Sequence, residues 1–267
     1  MMTTFWGFTQ VPFAKNLPIE QYFLGQPFTE LTVRLQIMVE SRGLGLVTGE
    51  IGSGKSSAVR YVAQQWDPTR HPVFYVAESR LTPFDFYAQI LEMLGIAVPF
   101  QRAQARRHFM ASMTDLYEHQ NKQPILIIDE AQSLPQSMIQ ELRFVLNTQM
   151  DGLTPFTCIL VGQPDLRTML RLKIFEAIQQ RVNLRFHLTG LTETETTAYV
   201  VHHCHQAGVD RPLFTPAALH LLFVQSRGLP RILNLLATGA LWDAESHGAT
   251  LVDEPHMQRS IADWRDA

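Results

Sequence analysis

The chain reads as an α/β protein, a parallel sheet flanked by helices, with a small all-helical domain after it. Three features of its 267 residues carry that reading. Short apolar runs alternate with longer helical stretches. Those runs stop near residue 190, and only helical patterns follow. A glycine-rich loop, GEIGSGKS at 49–56, joins the first apolar run to the helix behind it. Strands that are apolar along their whole length and separated by helices belong to a parallel sheet covered on both faces.

Residues 1–30 come first, with Phe5, Trp6, Phe8, Phe13, Tyr22, Phe23 and Phe28 set among prolines. Disordered tails lack aromatics, so this segment is expected as an ordered arm packed on the α/β domain. A helix is expected over 28–42. Strands follow at LGLVT (44–48), PVFYVA (72–77), PILIID (124–129), TCILVG (157–162) and LRFHL (184–188). Helical patterns lie near 55–66, 83–95, 103–121, 135–148 and 165–180. Beyond residue 190, Thr192 with Glu195 three residues on forms a capping box. TPAAL at 215–219 puts Thr at a cap and Pro in the first turn. Helices near 192–207, 215–226, 230–246 and 253–264 build a lid. The α/β domain is expected over 1–190 and the helical domain over 191–267.

Bulk composition narrows the function classes. Hydrophobic residues make up 46% and charged residues 18%, ordinary for a globular protein with a sizeable core. The net charge of −3 excludes a general polycation, so a nucleic-acid surface must be a local patch. Eighteen of the 22 basic residues are arginine, whose planar guanidinium suits phosphate. Cys158 and Cys204 make no disulfide framework and are expected as buried thiols of a reducing compartment. The N-terminus lacks the basic and apolar regions of a signal peptide. No apolar run approaches the ~20 residues of a membrane span. A soluble, cytoplasmic protein is expected.

GEIGSGKS fits G-x-x-x-x-G-K-[ST] in the strand–loop–helix setting that the P-loop requires. Glycine allows successive N–H groups to point inward at phosphate oxygens. Gly49, Glu50, Ile51, Gly52, Ser53, Gly54, Lys55, Ser56 and Ser57 are the candidate cradle for ATP. Lys55 would neutralise the β- and γ-phosphates and Ser56 would hold Mg²⁺. In LIIDEAQ, Asp129 leaves a buried strand at the edge where open α/β sheets bind ligands, and would support the metal. Glu130 would polarise the attacking water, so hydrolysis is favoured over transfer to a small substrate. Gln163 ends the next buried strand. It would sense the γ-phosphate or position water; the competing reading is a cap or turn residue before Pro164. Arg181 precedes the last strand, far from its own loop, and would complete a neighbour's site in trans. Arg185 competes for that role, and a plain surface arginine is the other reading. Arg231, in GLPRILN, opens a helix at the end where the macrodipole disfavours a cation, and so asks for an anion.

Together these residues resemble the AAA+ ATPases, P-loop NTPases in which an arginine opening a lid helix within Gly-x-Pro-Arg reaches the γ-phosphate. More narrowly, FWGFTQVPF, TGEIGSGKSS, LIIDEAQSLP, LVGQPDL, QQRV, FTPAAL and RGLPRILNLL, in that order, are similar to the ExeA-like ATPases. That resemblance covers nearly the whole chain. It implies a Mg²⁺-dependent ATPase that assembles with itself as a ring or helical filament. It also implies one of two settings. Some members accompany transposases as target-DNA regulators, and LNTQMDGLTPFTCILVGQPDLR (146–167) is most similar to these. Others serve secretion or pilus assembly on protein partners. Secretion members typically continue into a membrane segment and a cell-wall-binding region, whereas this chain ends at Ala267; a shorter, soluble pilus-associated type exists, so the resemblance ranks that setting lower and keeps it. The leading expectation is regulation of transposition on double-stranded DNA by recruiting or activating a transposase. The alternative is a secretion or pilus-assembly ATPase.

For a DNA partner, the candidate contacts are Arg80, Arg102, Arg106 and Arg107. The i,i+4 pair Arg102 and Arg106 shares a helix face, and without base-reading side chains the binding would be salt-sensitive and sequence-tolerant. A solvated helix face is the other reading. HHCH at 202–205 is no zinc site on one helix, because consecutive residues point about 100° apart. Pro12 and Phe13 would either flank the adenine or pack in a core.

Overall fold

The computed structural model describes residues 2–78, 80–146 and 154–266. Residues 147–153, within the stretch similar to transposon-borne proteins, lie outside the described residues. The chain divides into two units. One holds Glu30–Ile51 and Lys55–Leu188. The other holds the chain up to Thr29, Gly52–Gly54, and the chain from Thr189 onward.

The first unit is built on a five-stranded parallel sheet of β1 (Gly43–Gly49), β2 (Val73–Val76), β3 (Ile125–Ile128), β4 (Thr157–Gly162) and β5 (Val182–Leu188), ordered β2-β3-β4-β1-β5. β3 and β4 are buried at every residue, the signature of strands covered on both faces. Register pairs Thr48 with Gly162 and Ile128 with Leu160. Gly49, Gln163 and the pair Asp129–Glu130 therefore leave the sheet at one edge. α1 (Met2–Trp6) and α2 (Gln26–Ser41) precede the first strand, and α3 (Lys55–Ala63), α4 (Pro83–Met93), α5 (Arg102–Glu118) and α6 (Gln136–Val145) connect or cover the strands. α4 starts at a Thr82–Asp85 capping box with Pro83 in its first turn. Between α4, α5 and the sheet, Phe86, Tyr87, Phe109 and Phe156 are fully buried, with neighbouring ring centroids 5.3–5.8 Å apart. Each such ring contributes roughly 1.5–3 kcal/mol by burial.

The single helix expected over 165–180 is two short ones, α7 (Pro164–Leu170) and α8 (Glu176–Gln179). Between them Leu172 is extended (φ −62°, ψ 139°), which ends the helical hydrogen-bond run.

The second unit is helical: α9 (Glu193–Gln206), α10 (Pro216–Ser226), α11 (Pro230–Ser246) and α12 (Glu254–Asp266). The expected capping box is present. Thr192 Oγ1 accepts from the Glu195 amide at 3.2 Å, and Glu195 Oε2 accepts from the Thr192 amide at 3.0 Å. Thr215 likewise caps α10, with Pro216 in its first turn. The N-terminal arm belongs here and not on the sheet unit. Trp6, Phe8 and Phe13 lie in one core with Leu233, Leu236 and Leu241. Trp6 Nε1 donates to Leu241 O at 3.3 Å, and the Thr9 amide to Ala207 O at 2.8 Å. The aromatics of the arm thus form part of the helical core.

Candidate nucleotide-binding site

The loop between β1 and α3 turns on Gly52 (φ 80°) and Gly54 (φ 95°), in the left-handed region that glycine enters without steric cost. Gly52 has a second reason to be glycine. A Cβ there would come 2.6 Å from Arg231 Cβ, and the Arg231 amide donates to Gly52 O at 3.2 Å. Lys55 Nζ donates to Gly49 O and Glu50 O, both at 2.8 Å, so the ammonium is held at the mouth of the loop. Ser53 is buried, and its hydroxyl has no hydrogen-bond partner among the described residues.

Asp129 is buried at the end of β3, and its carboxylate collects three donors. Ser56 Oγ donates to Oδ2 at 2.7 Å, Tyr75 Oη donates to the same oxygen at 2.8 Å, and the Glu130 amide donates to Oδ1 at 2.8 Å. A buried carboxylate needs such partners to remain charged. Burial and the Asp129 carboxylate push the Tyr75 phenol up, so it stays a donor. Ser56 and Asp129 together present two hard oxygen donors, the kind of partial set that suits Mg²⁺ with its remaining positions filled by phosphate and water.

Glu130 sits in the left-handed region (φ 52°, ψ 34°), an uncommon conformation for glutamate that costs of order 1 kcal/mol or more. Its carboxylate accepts from Gln132 Nε2 at 2.6 Å. Gln163 follows β4 and precedes Pro164 at the cap of α7, but its side chain makes no capping bond. The structure therefore brings Lys55, Ser56, Asp129, Glu130 and Gln163 to one sheet edge. Arg181 is at the opposite edge, ahead of β5, with its guanidinium donating to Leu146 O at 3.3 Å. Arg185 donates to Gln179 O at 2.6 Å. Arg231 is the second residue of α11, after Pro230.

Pro12 and Phe13 are buried, with the Phe13 ring 5.6 Å from that of His203 in the helical core. His203 and Cys204 of HHCH are buried too. Among the described residues no cluster of three or more His, Cys, Asp or Glu side chains is arranged to hold a metal. Burial pushes both cysteine thiols up to about 12, leaving them protonated and inert. Of the four candidate DNA contacts, Arg80, Arg102 and Arg107 are exposed and Arg106 is half-buried. Arg102 is paired with the buried Glu141, and Arg106 Nε lies 3.8 Å from the same carboxylate. Tyr75 and Glu141 lie in no motif, and Gln132, inside LIIDEAQ, carries no role in the sequence pattern. An alternating Tyr in β2, one strand from Asp129, was the only signal for the first of them.

A nucleotide-binding loop, an acidic pair and a polar strand end on a β2-β3-β4-β1-β5 parallel sheet define a P-loop NTPase of the AAA type. Residues 37–170, half of the chain, match the model of the AAA domain family, and the chain belongs to that family. Membership implies ATPase activity, with ATP as the nucleotide. Over 258 residues the chain is 30% identical to General secretion pathway protein A of Aeromonas hydrophila, which bears out the ExeA-like resemblance. The match covers 93% of this chain and 46% of that protein, so the chain spans about half the length of the relative. Among solved structures, it is similar to Aeropyrum pernix ORC2 in ADPNP–ADP complexes (TM-score 0.66, 16% identity, 94% of this chain and 70% of that one). It is also similar to Drosophila ORC bound to DNA (0.64, 17%, 98% and 65%). A third likeness is to the Thermotoga maritima RuvB Holliday junction branch migration motor (0.57, 16%, 88% and 67%). At these identities the likeness is one of fold. Among the described residues no helix is long and apolar enough to cross a membrane.

Proposed function

We propose that this chain is a Mg²⁺-dependent ATPase that assembles with itself when ATP is bound, engages double-stranded DNA in that state, and regulates transposition by recruiting or activating a transposase. The observation that carries the enzymatic part is the Ser56–Asp129–Glu130 group at the mouth of the loop. Ser56 and Asp129 would hold Mg²⁺, which neutralises phosphate charge when bound. Glu130 accepts a proton from water as its oxygen bonds the γ-phosphorus, while the bond to the ADP oxygen breaks. Lys55 meets charge on the phosphate oxygens, Gln163 orients the water or senses the γ-phosphate, and Arg231 responds to the same charge. Arg181 lies at the far sheet edge from its own loop, which supports a role in a neighbour's site. One site would then need two chains.

DNA binding is supported by the exposed Arg80 and Arg107 and by the fold shared with ORC bound to DNA. The test is duplex binding with and without ATP across a salt series. ATP-dependent binding that weakens steeply with salt is expected. No ATP-dependent binding at low salt overturns the DNA reading. A second reading, a secretion or pilus-assembly ATPase acting on protein partners, is favoured by the 30% identity to General secretion pathway protein A. In that case ATP-dependent assembly persists and duplex binding is absent.

A further inference from the structure

We propose that Gln132 is a positioning residue for hydrolysis: it holds the Glu130 carboxylate and ties it to the backbone at the end of β4. The proposal rests on the reading of Glu130 as the group that activates water. A glutamine amide offers a donor at one end and an acceptor at the other, and both are used here. Gln132 Nε2 donates to Glu130 Oε2 at 2.6 Å, and Gln132 Oε1 accepts from the Gln163 amide at 3.0 Å. The orientation is determined by chemistry, because a carboxylate only accepts and a backbone amide only donates. The first bond is short and charge-assisted, the stronger kind.

Space for this bridge comes from Gly162. A Cβ at that position would lie 2.7 Å from Gln132 Oε1 and 3.3 Å from the Gln132 amide nitrogen. The last residue of β4 therefore has to lack a side chain for Gln132 to reach Gln163. Glu130 needs the support. It is exposed, and its left-handed backbone takes it off the alternation of β3. A free glutamate loses rotamer entropy when fixed in one pose. Gln132 removes much of that freedom before water arrives and engages Oε2 of Glu130. Since the same amide is anchored on the Gln163 N–H, a shift of the β4 end moves the hydrolytic carboxylate with it. The residue proposed to meet the γ-phosphate and the residue proposed to activate water are thereby mechanically linked.

The test compares Gln132→Glu, Gln132→Ala, Glu130→Gln and the double variant Glu130→Gln/Gln132→Ala in the full chain. Gln132→Glu is isosteric, keeps an acceptor for the Gln163 amide, and replaces the donor to Glu130 with a carboxylate oxygen that repels it. Turnover should fall roughly tenfold to a hundredfold in both Gln132 variants, with KM for ATP within about twofold of wild type. ADP affinity and melting temperature, measured on the same samples, should be unchanged in Gln132→Glu. Adding Gln132→Ala to Glu130→Gln should cost at most about twofold further, because the larger part of its effect on turnover runs through Glu130. Amide exchange at Gln163 should rise in Gln132→Ala and stay near wild type in Gln132→Glu. Turnover of Gln132→Glu within about twofold of wild type, beside an inactive Glu130→Gln, overturns this proposal alone. Full turnover in Glu130→Gln overturns the reading of Glu130 and the proposal with it.

Discussion

Ser56 Oγ donates to Asp129 Oδ2 at 2.7 Å, joining the start of α3 to the end of β3 across the intervening β4. The phosphate loop and the acidic strand end, 73 residues apart in sequence, are thus held in direct contact.

Tyr75 donates to the same oxygen from β2 at 2.8 Å. Tyr75→Phe removes one of three donors to a buried carboxylate and leaves Ser56 and the Glu130 amide in place. A hydrogen bond to a charged group contributes about 1.5–3 kcal/mol. The Mg²⁺ concentration for half-maximal ATP turnover should therefore shift by about tenfold, with ADP binding in the absence of metal little changed. A metal titration of turnover against wild type checks this.

The arginines of α5 should separate into two kinds. Arg102 is paired with Glu141, which is 2% exposed and also accepts from Tyr87 Oη at 2.7 Å. Arg102→Ala leaves that carboxylate short of a partner and should lower stability by about 1–2 kcal/mol, discounted for the solvent exposure of the arginine. Arg107 is exposed, and Arg107→Ala should leave the melting temperature unchanged. If duplex binding is as proposed, that variant alone should reduce the salt slope by about one. Melting curves and salt-series binding on the two variants separate these effects.

The arm makes its own prediction. Trp6 is 2% exposed in the helical core and bonds Leu241 O. Trp6→Ala should cost about 3–5 kcal/mol, the cost of emptying a core aromatic site. Limited proteolysis should then cut within the helices from Thr189 onward well before the sheet unit.

His203 supplies a pH dependence. Burial, aided by the neighbouring His202, pushes its imidazole down to about 4 from an ordinary value of 6.5. Unfolding exposes a ring that takes up a proton below pH 6.5, whereas the folded ring stays neutral until about pH 4. Stability from this site is therefore full above pH 6.5 and declines as pH falls toward 4, by about 3 kcal/mol in all. Chemical denaturation across that window should show the decline, and His203→Phe should flatten it.

Much of this was legible in the residues. All five strands, the phosphate loop, the acidic pair and the Thr192 and Thr215 caps follow from local pattern, because apolar runs and cap chemistry act within a few residues. What escaped depends on distant pairing. Gln132 becomes a bridge only because β4 lies beside β3 and ends in Gly162. Glu141 explains Arg102 only once α5 and α6 are packed together. The arm's aromatics announce a core but not which one, since burial is non-directional. The break at Leu172 carries no glycine or proline to mark it.

The most direct test is Mg²⁺-dependent ATP turnover of wild type and Glu130→Gln, with ATP affinity measured on the same samples. The account predicts turnover in wild type, and in Glu130→Gln a loss of about 10²–10⁴-fold with ATP affinity retained and the assembled state accumulating. Turnover in Glu130→Gln within a few-fold of wild type, or a wild-type chain that binds no ATP, would contradict it.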